Sequence, residues 1–200
     1  MFLLKKPAEG SIIQFLESRK TDHFSYRETG ATKTGHAPAG YNVDHNRVQL
    51  GTGSEVFENA KIAIRSWEMF GMDWVTLVPD RSSIEVGIDA AIVVEHFGFY
   101  SLNAARVVYL IDGPARFGFA YGTLTEHGEI GEERFSVELD PASGEVSYDL
   151  FAFSRPASIL AIIGYPLSRR LQKAFARDSK NAMKKAVSNL TDLSTKRPIS

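Results

Sequence analysis

The chain has 200 residues, of which 44% are hydrophobic and 11% aromatic, so it can build the core of one domain and global disorder is excluded. A formal net charge of −1 argues against a protein that coats nucleic acid, and the lack of cysteine excludes disulfide scaffolds, thiolate zinc sites and cysteine nucleophiles. No signal peptide and no run of ~18 apolar residues is found, which predicts a soluble, cytoplasmic protein without integral membrane association.

The first part of the chain is predicted to contain two helices and one strand. Apolar positions at helical spacing predict a short amphipathic helix over residues 8–19, and the Gly- and Pro-rich residues 30–40 predict a loop. Residues 41–50 are predicted to form a strand, and Gly51-Thr-Gly53 then turns the chain. A second helix is predicted over residues 54–70, where it would close one end of the fold.

Between residues 73 and 153 the apolar residues alternate with a period of two. This pattern predicts six strands, over residues 74–78, 84–97, 104–111, 115–124, 132–139 and 145–153. The connections between them are too short for the crossover helices that parallel strands need. The sequence therefore predicts an antiparallel meander.

The chain ends in a long predicted helix from Leu167 to Val187, about 21 residues or roughly 31 Å. A helix that follows a curved antiparallel sheet has to bury its apolar stripe on that sheet. The predicted fold class is α+β, a helix-grip fold in which a curved antiparallel sheet wraps around the C-terminal helix. We expect one domain over residues 1–200, with a helical N-terminal extension over residues 1–23 and a disordered tail over residues 188–200.

Charge is distributed unevenly along the chain. Residues 154–200 carry ten basic and two acidic residues, whereas residues 121–149 carry eight acids and the single base Arg134. This asymmetry favours packing of a basic terminal helix against an acidic body. The alternative is a basic helix face that recruits an anionic membrane or another partner.

Several ordered blocks between about Phe24 and Ala186 resemble a family of bacteria and plants, the domain-of-unknown-function family numbered nineteen-ninety. The first blocks are Phe24-Ser-Tyr26, Gly30-Ala-Thr32, Gly40-Tyr41, Asp44-His45 and Leu50-Gly51-Thr-Gly53. The later ones are Leu102-Asn103, Arg106-Val-Val-Tyr109, Phe119-Ala-Tyr121-Gly-Thr-Leu124, Gly131-Glu-Glu-Arg-Phe135, Ala152-Phe-Ser-Arg-Pro156, Gly164-Tyr-Pro166 and Arg170-Leu-Gln172. The chain departs from the family pattern around His127, where prolines are expected on both sides, so we expect a looser loop there.

The order of strands and helices is similar to that of the START and birch-pollen-allergen superfamily. This resemblance implies that an apolar ligand could be held between the sheet and the last helix. Some members of that superfamily are cyclases or hydrolases and many only bind, so the resemblance sets an expectation for the fold and none for one activity.

Strand alternation suggests where such a ligand would lie. In residues 115–124, one face carries Phe117, Phe119, Tyr121 and Thr123, and the other carries Gly118, Ala120, Gly122 and Leu124. The small residues leave room for a ligand, a helix backbone or a long side chain. The turn at Asp112-Gly113 is expected to place Arg106, Val108 and Leu110 beside this small face.

Glu133 is expected on the apolar face of its strand, where an unpaired carboxylate is costly. The simplest register places Gly122 opposite Glu133 and Ala120 opposite Arg106, which predicts contact between Arg106 and Glu133. Two interpretations remain open for this pair, a structural ion pair or a polar anchor that orients a ligand or acts as a general acid or base.

No metal site or cofactor is predicted. His127, Glu129, Glu132 and Glu133 have donor atoms that suit a divalent ion, but Glu132 and Glu133 point to opposite faces of one strand. Asp44 and His45 alternate in the same way. The glycines at Gly51 and Gly53 lack the rest of a nucleotide fingerprint, and no RNA-binding strand motif occurs, so nucleic acid is not an expected partner.

The sequence leaves three functions open. The first is a binding module for a small apolar or amphipathic molecule, the second an enzyme of the cyclase or hydrolase kind in the same cavity, and the third an interaction protein that uses the basic C-terminal helix. The sequence does not indicate an oligomeric state. The candidate ligand-binding residues are Arg106, Tyr121, Gly122, Thr123, His127 and Glu133.

Overall fold

Eight strands form one sheet in a computed structural model that describes residues 1–79, 83–125, 128–157 and 165–195. The strands β1 to β8 are Phe2–Leu3, Asn42–Thr52, Val75–Val78, Asp89–His96, Phe99–Gly113, Arg116–Thr123, Glu129–Leu139 and Glu145–Pro156. Their order across the sheet is β2-β8-β7-β6-β5-β4-β3, and β1 pairs with β5. All these pairs are antiparallel, which confirms the predicted meander.

The three described α-helices are α1 (Glu9–Arg19), α2 (Ser54–Arg65) and α3 (Tyr165–Thr195). The second helix is shorter than predicted, because Trp67 adopts a left-handed backbone (φ 56°) and a separate 3-10 turn follows over Glu68–Phe70. The last helix is longer than predicted and includes residues 188–195, where a disordered tail was expected. There the Thr191 hydroxyl accepts a hydrogen bond from Asn59 of α2 at 3.1 Å, which anchors this part of the helix.

One face of the sheet, which we call the inner face, packs against α2 and α3. Buried side chains of the strands, α2, the 3-10 turn and α3 form one continuous apolar core there. Phe70 lies in its middle, with its ring centroid 5.5 Å from that of Phe135 on β7 and 5.5 Å from that of Phe175 on α3. Because the long helix buries its apolar stripe on the curved antiparallel sheet, the helix-grip fold predicted from the sequence is confirmed.

The opposite, outer face carries a second and smaller apolar core. Ile12, Phe15 and Leu16 of α1 pack there against apolar residues of β3, β4 and β5. After α1, residues 20–41, which we call the strap, cross the outer face, and Phe24 forms an isolated bridge with Leu124. The sheet is therefore covered on both faces, because the N-terminal segment covers the side that α2 and α3 leave free.

A bulge in β5 changes which side chains flank the small residues of β6. The pairing shifts between Val107 and Tyr109, so that Tyr109 lies opposite Ala120 and Leu110 lies opposite Phe119. The expectation that Arg106, Val108 and Leu110 all line the small face is therefore wrong, since alternation assumes a regular strand and a bulge adds one residue.

Candidate functional site

One row of paired residues crosses the inner face and carries two carboxylates. Asp44 of β2 lies opposite Ala152 of β8, Ala152 lies opposite Glu133 of β7, and Glu133 lies opposite Tyr121 of β6. Directly paired residues of antiparallel strands point to the same face. Ala152 is small, and both Ala152 and Glu133 keep partial exposure to solvent. We call this partly solvent-exposed row, on the side of the sheet that α3 packs against, the recess.

The Glu133 carboxyl is the most perturbed acid of this row. Burial raises the pKa of Glu133 to about 7, the hydrogen bond from Tyr121 opposes this rise, and the negative charges of Asp44 and Glu129 add to it. The Tyr121 hydroxyl donates to Glu133 Oε2 at 2.5 Å, and burial raises the pKa of Tyr121 well above its ordinary value. A carboxyl that titrates near neutral pH can both give and accept a proton there.

Polar side chains from the start of α3 form a rim around the recess. Arg169 Nη2 donates to Asp44 Oδ1 at 2.7 Å, so this carboxylate is neutralised by a helix residue. Glu129 accepts hydrogen bonds from Ser168 Oγ and Gln172 Nε2. The rim therefore links the first turns of α3 to the edge strand β2 and to the start of β7.

A cavity of about 390 Å³ lies at the edge of the inner-face core, between the end of α2 and β3. Its lining includes the apolar side chains of Trp67, Phe70, Met72, Val75 and Leu77 and the carboxylates of Glu68 and Asp73. The Phe70 ring lies between the cavity and the recess, with its centroid 6.2 Å from that of Tyr121. A cavity of this volume is in the range that binds small organic molecules.

Residues 66–77, which line this cavity, were not among the candidates from the sequence. Trp67 and Phe70 also fit the apolar face of the helix predicted over residues 54–70, so they were interpreted as core residues and not as residues of a ligand site. The signal that could have found them is the sequence Trp67-Glu-Met-Phe-Gly71, because two aromatic residues followed by a glycine also suit a tight, ligand-lining turn.

On the outer face, Glu132 fastens the strap to β7. Its side chain is 2% exposed and accepts hydrogen bonds from Tyr26 Oη at 2.6 Å, from the Gly30 amide at 2.6 Å and from the Thr32 amide at 3.0 Å. The Thr32 hydroxyl also donates to this carboxyl. Four donors thus satisfy one buried carboxylate, which is the condition under which such a group is tolerated.

A charge cluster next to Glu132 also joins the strap to β8. Arg134 donates from Nη2 to Asp149 Oδ1 at 2.7 Å and from Nη1 to the Thr32 carbonyl at 2.5 Å. His45 Nε2 lies 2.7 Å from Asp149 Oδ2. Burial opposes ionisation of Asp149, but the hydrogen bonds from His45 and Arg134 outweigh it and hold the pKa of that carboxyl below its ordinary value. Asp44 and His45 therefore act on opposite faces, as their alternation predicted.

The predicted contact between Arg106 and Glu133 is wrong. Arg106 lies opposite Gly122 on the outer face, whereas Glu133 lies opposite Tyr121 on the inner face. The observed register places Gly122 opposite Glu132, one residue away from the predicted partner. Because side chains alternate along a strand, a shift of one residue moves a side chain to the other face of the sheet.

Arg106 instead binds the C-terminal end of α1. Its Nε and Nη2 atoms donate to the two carboxylate oxygens of Asp89 at 2.5 and 2.9 Å. Its Nη1 and Nη2 atoms also donate to the carbonyls of Asp22 at 2.8 Å and Lys20 at 3.0 Å. Carbonyls at a helix end lack partners within the helix, so Arg106 satisfies them and holds α1 on the sheet.

Gly122 and Thr123 both contact the strap. A Cβ atom on Gly122 would lie 2.1 Å from Tyr26 Oη, so the space left by this glycine is filled by a long side chain, one of the occupants considered from the sequence. Thr123 Oγ1 lies 2.6 Å from Ser25 Oγ and accepts from the Gly131 amide at 3.0 Å. His127 lies outside the described residues. Of the six candidates, the structure brings together Tyr121 and Glu133 in the recess.

Among the residues that the structure describes, no three His, Asp or Glu side chains are grouped so that they could hold a metal ion. No helix within the same ranges is both long and apolar enough to cross a bilayer.

The sequence of this chain is similar to those of known proteins. A model of the family described as Domain of unknown function (DUF1990) matches residues 25–182. A UPF0548 protein of Dictyostelium discoideum is 37% identical over 207 residues, covering 94% of this chain and 96% of that protein. A UPF0548 protein of Arabidopsis thaliana is 40% identical over 154 residues, covering 74% of each chain.

The fold has solved counterparts at low sequence identity. A point mutant of norcoclaurine synthase from Thalictrum flavum, in complex with a transition state analogue, matches with a TM-score of 0.50 at 10% identity, over 77% of this chain and 98% of that one. At this identity the likeness supports the helix-grip fold alone. Since the family model spans most of the sequence and both relatives exceed 30% identity, the chain belongs to the DUF1990 family.

Proposed function

We propose that the protein is a cytoplasmic binding module for a small apolar or amphipathic molecule held between the inner face of the sheet and α3. The observation that carries the proposal is the cavity of about 390 Å³ between α2 and β3, next to Phe70, whose ring packs both on Tyr121 of the recess and on Phe175 of α3. The aromatic and aliphatic wall would hold the body of the ligand, and Glu133 would meet its polar end. Glu68 and Asp73 add two carboxylates to this wall, and a site that combines apolar side chains with a few polar groups suits an amphipathic ligand.

The chemistry around Glu133 favours particular polar groups on the ligand. The hydrogen bond that Tyr121 donates goes to Oε2, so Oε1 can accept a bond from a ligand hydroxyl, amide or amine. The charges of Asp44 and Glu129 raise the pKa of Glu133, and Glu129 together with the ionised form of Glu133 would repel an anionic head group. We therefore expect neutral or cationic polar ends to be preferred over carboxylates.

Binding of the neutral apolar dye N-phenyl-1-naphthylamine tests the proposal. Energy transfer from tryptophan to the dye reports that the dye is bound, and a variant of the cavity wall shows whether it is bound in the cavity. Val75→Phe adds a ring to the cavity wall, and Val43→Phe makes the same change at a position that is 51% exposed on β2. We expect wild-type protein and Val43→Phe to bind the dye alike, and Val75→Phe to lose at least tenfold in affinity.

Equal dye binding by Val75→Phe would contradict the proposal, as would no dye binding by a folded wild-type protein. Glu133→Gln tests the contact with the polar end of the ligand separately from the contacts of the apolar wall. It leaves dye affinity unchanged, because the dye is uncharged and the glutamine oxygen still accepts a hydrogen bond, but weakens competition by decylamine more than competition by decanol. A native mass spectrum of the protein purified from its own host would then identify the natural ligand.

A second candidate function is acid–base catalysis on the same ligand, as in a cyclase or hydrolase. The observation that favours it is the Glu133 carboxyl, which has a pKa of about 7 and a hydrogen bond from Tyr121. A catalytic acid or base works best when its pKa lies near the working pH. The test is to incubate the co-purified ligand with wild type and with Glu133→Gln, where conversion by wild type alone would support an enzyme.

A further inference from the structure

The basic residues of α3 are divided between two sides of the helix. Arg169 and Lys180 point toward the sheet, where Arg169 binds Asp44 and Lys180 Nζ donates to Asn46 Oδ1 at 3.1 Å. The other basic residues of the described part of the helix are exposed, and we call them the basic strip: Arg170, Lys173, Arg177, Lys184 and Lys185. Packing against the acidic body therefore uses two of the seven cations.

The basic strip is continuous along one side of the helix. At 100° per residue, its five side chains fall within a sector of about 120°, and they extend over about 22 Å of helix length. Asp178 is the acid on this stretch, and it is partly buried where it accepts a hydrogen bond from Trp74 Nε1 at 3.1 Å and pairs with Arg177. Between Arg170 and Lys185, the exposed side of the helix is thus a row of cations with one acid, Asp178, at its edge.

We propose that the basic strip docks the protein on an anionic lipid surface, with α3 parallel to the membrane plane. This proposal goes beyond the proposed function, because it concerns the side of α3 that faces away from the recess. The charges of the strip are complementary to lipid phosphates. The strip lies on the side of α3 that faces away from the sheet. A helix that lies on the membrane along this side therefore keeps the acidic residues of the sheet away from the lipid.

The side chains of the strip favour lipid over single-stranded nucleic acid. The residues that lie between these cations on the same side of the helix, Ala174 and Asn181, are not aromatic, so the stacking platform that single-stranded nucleic acid uses is missing along the strip. Leu167, which is 37% exposed near the start of the helix, can enter the interfacial layer beside the cations. Each Lys or Arg near an anionic bilayer strengthens binding about fivefold, which corresponds to about 1 kcal/mol.

Co-sedimentation of the full chain with lipid vesicles tests this proposal. The vesicles consist of phosphatidylcholine alone or with 30% phosphatidylglycerol, in a buffer of low salt. Lys173→Gln/Lys184→Gln removes two charges from the strip and keeps good helix-forming residues. The matched control, Lys5→Gln/Lys6→Gln, removes two charges from exposed residues on the segment that precedes α1.

We expect binding to the anionic vesicles alone, weakened by added salt, with a loss of about 25-fold in the strip variant and less than twofold in the control. Absence of binding to the anionic vesicles would overturn the proposal, and so would equal losses in the two variants. Binding to poly(U) without binding to vesicles would assign the strip to nucleic acid and would also overturn it. Circular dichroism of both variants confirms that the helix is intact.

Discussion

Glu133 couples the stability of the fold to pH. The pKa of this carboxyl is about 7 in the folded state, above its ordinary value of 4.5, so the folded chain holds the proton more tightly than the unfolded chain. The stabilisation from this difference is complete below about pH 4.5 and is lost as the pH rises through about 7. Under the proposed function, ligand binding and stability would oppose each other at this residue, since the ionised form would accept a hydrogen bond from the ligand but costs folding free energy.

Glu133→Gln should remove this pH dependence, because glutamine accepts the hydrogen bond from Tyr121 without a charge. The quantity to compare is the free energy of unfolding of wild type minus that of the variant. We expect this difference to fall by at most about 3 kcal/mol between pH 5 and pH 8. Partial solvent contact of the carboxyl makes the drop smaller. Urea unfolding at four pH values measures it, and a constant difference would contradict the assigned pKa.

Gly122 is needed for the close approach of Tyr26. In Gly122→Ala the new Cβ atom would lie 2.1 Å from Tyr26 Oη, so the strap has to move away from the sheet. We expect a loss of about 1–3 kcal/mol in the free energy of unfolding, typical of overpacked sites. Gly10→Ala is the control, because nothing lies within 4 Å of its Cβ position and alanine favours the helix. A Gly122→Ala protein as stable as wild type would disprove the close contact.

At the scale of elements, Arg106 links α1 to the sheet through Asp89 and the helix-end carbonyls. Arg106→Met should destabilise the protein by about 2–4 kcal/mol, because it leaves the Asp89 carboxylate and the helix carbonyls without a donor. Adding Asp89→Leu should recover part of the loss. Hydrogen exchange locates the effect, with faster exchange expected in α1 than in α3. Uniform acceleration in both helices would contradict a local role.

Features that belong to a single strand could be predicted from the sequence, whereas features that depend on the pairing of strands could not. The alternation of Glu132 and Glu133 is a property of one strand, so the placement of Glu133 on the apolar face was predictable. Its partner was not, because the register of β6 and β7 depends on the turn between them, and the bulge in β5 depends on tertiary packing. For the same reason the strap network around Glu132, which joins residues about 100 positions apart, left no local signal.

At the scale of the whole molecule, both faces of a single sheet are covered, so the inner and outer cores share the same strands. We expect one cooperative unfolding transition, with tryptophan fluorescence and far-ultraviolet circular dichroism coinciding.

Glu132→Ala leaves the donors of Tyr26, Gly30 and Thr32 unsatisfied and should shift both signals together by about 3 kcal/mol or more. Glu138→Ala, on the same strand with surface ion pairs, should cost less than about 1 kcal/mol. Separate transitions would mean that the strap is an independent unit.

The attachment of the strap also has a consequence for the order of events during synthesis. Tyr26 and the carboxylate that it binds are 106 residues apart in the chain. A ribosome that adds about 5–20 residues per second delivers Glu132 about 5–20 s after Tyr26. During that interval the tyrosine, the glycine amide and the threonine of the strap have no carboxylate to bind. The early segment is therefore exposed to chaperones and proteases until the second half of the sheet is made.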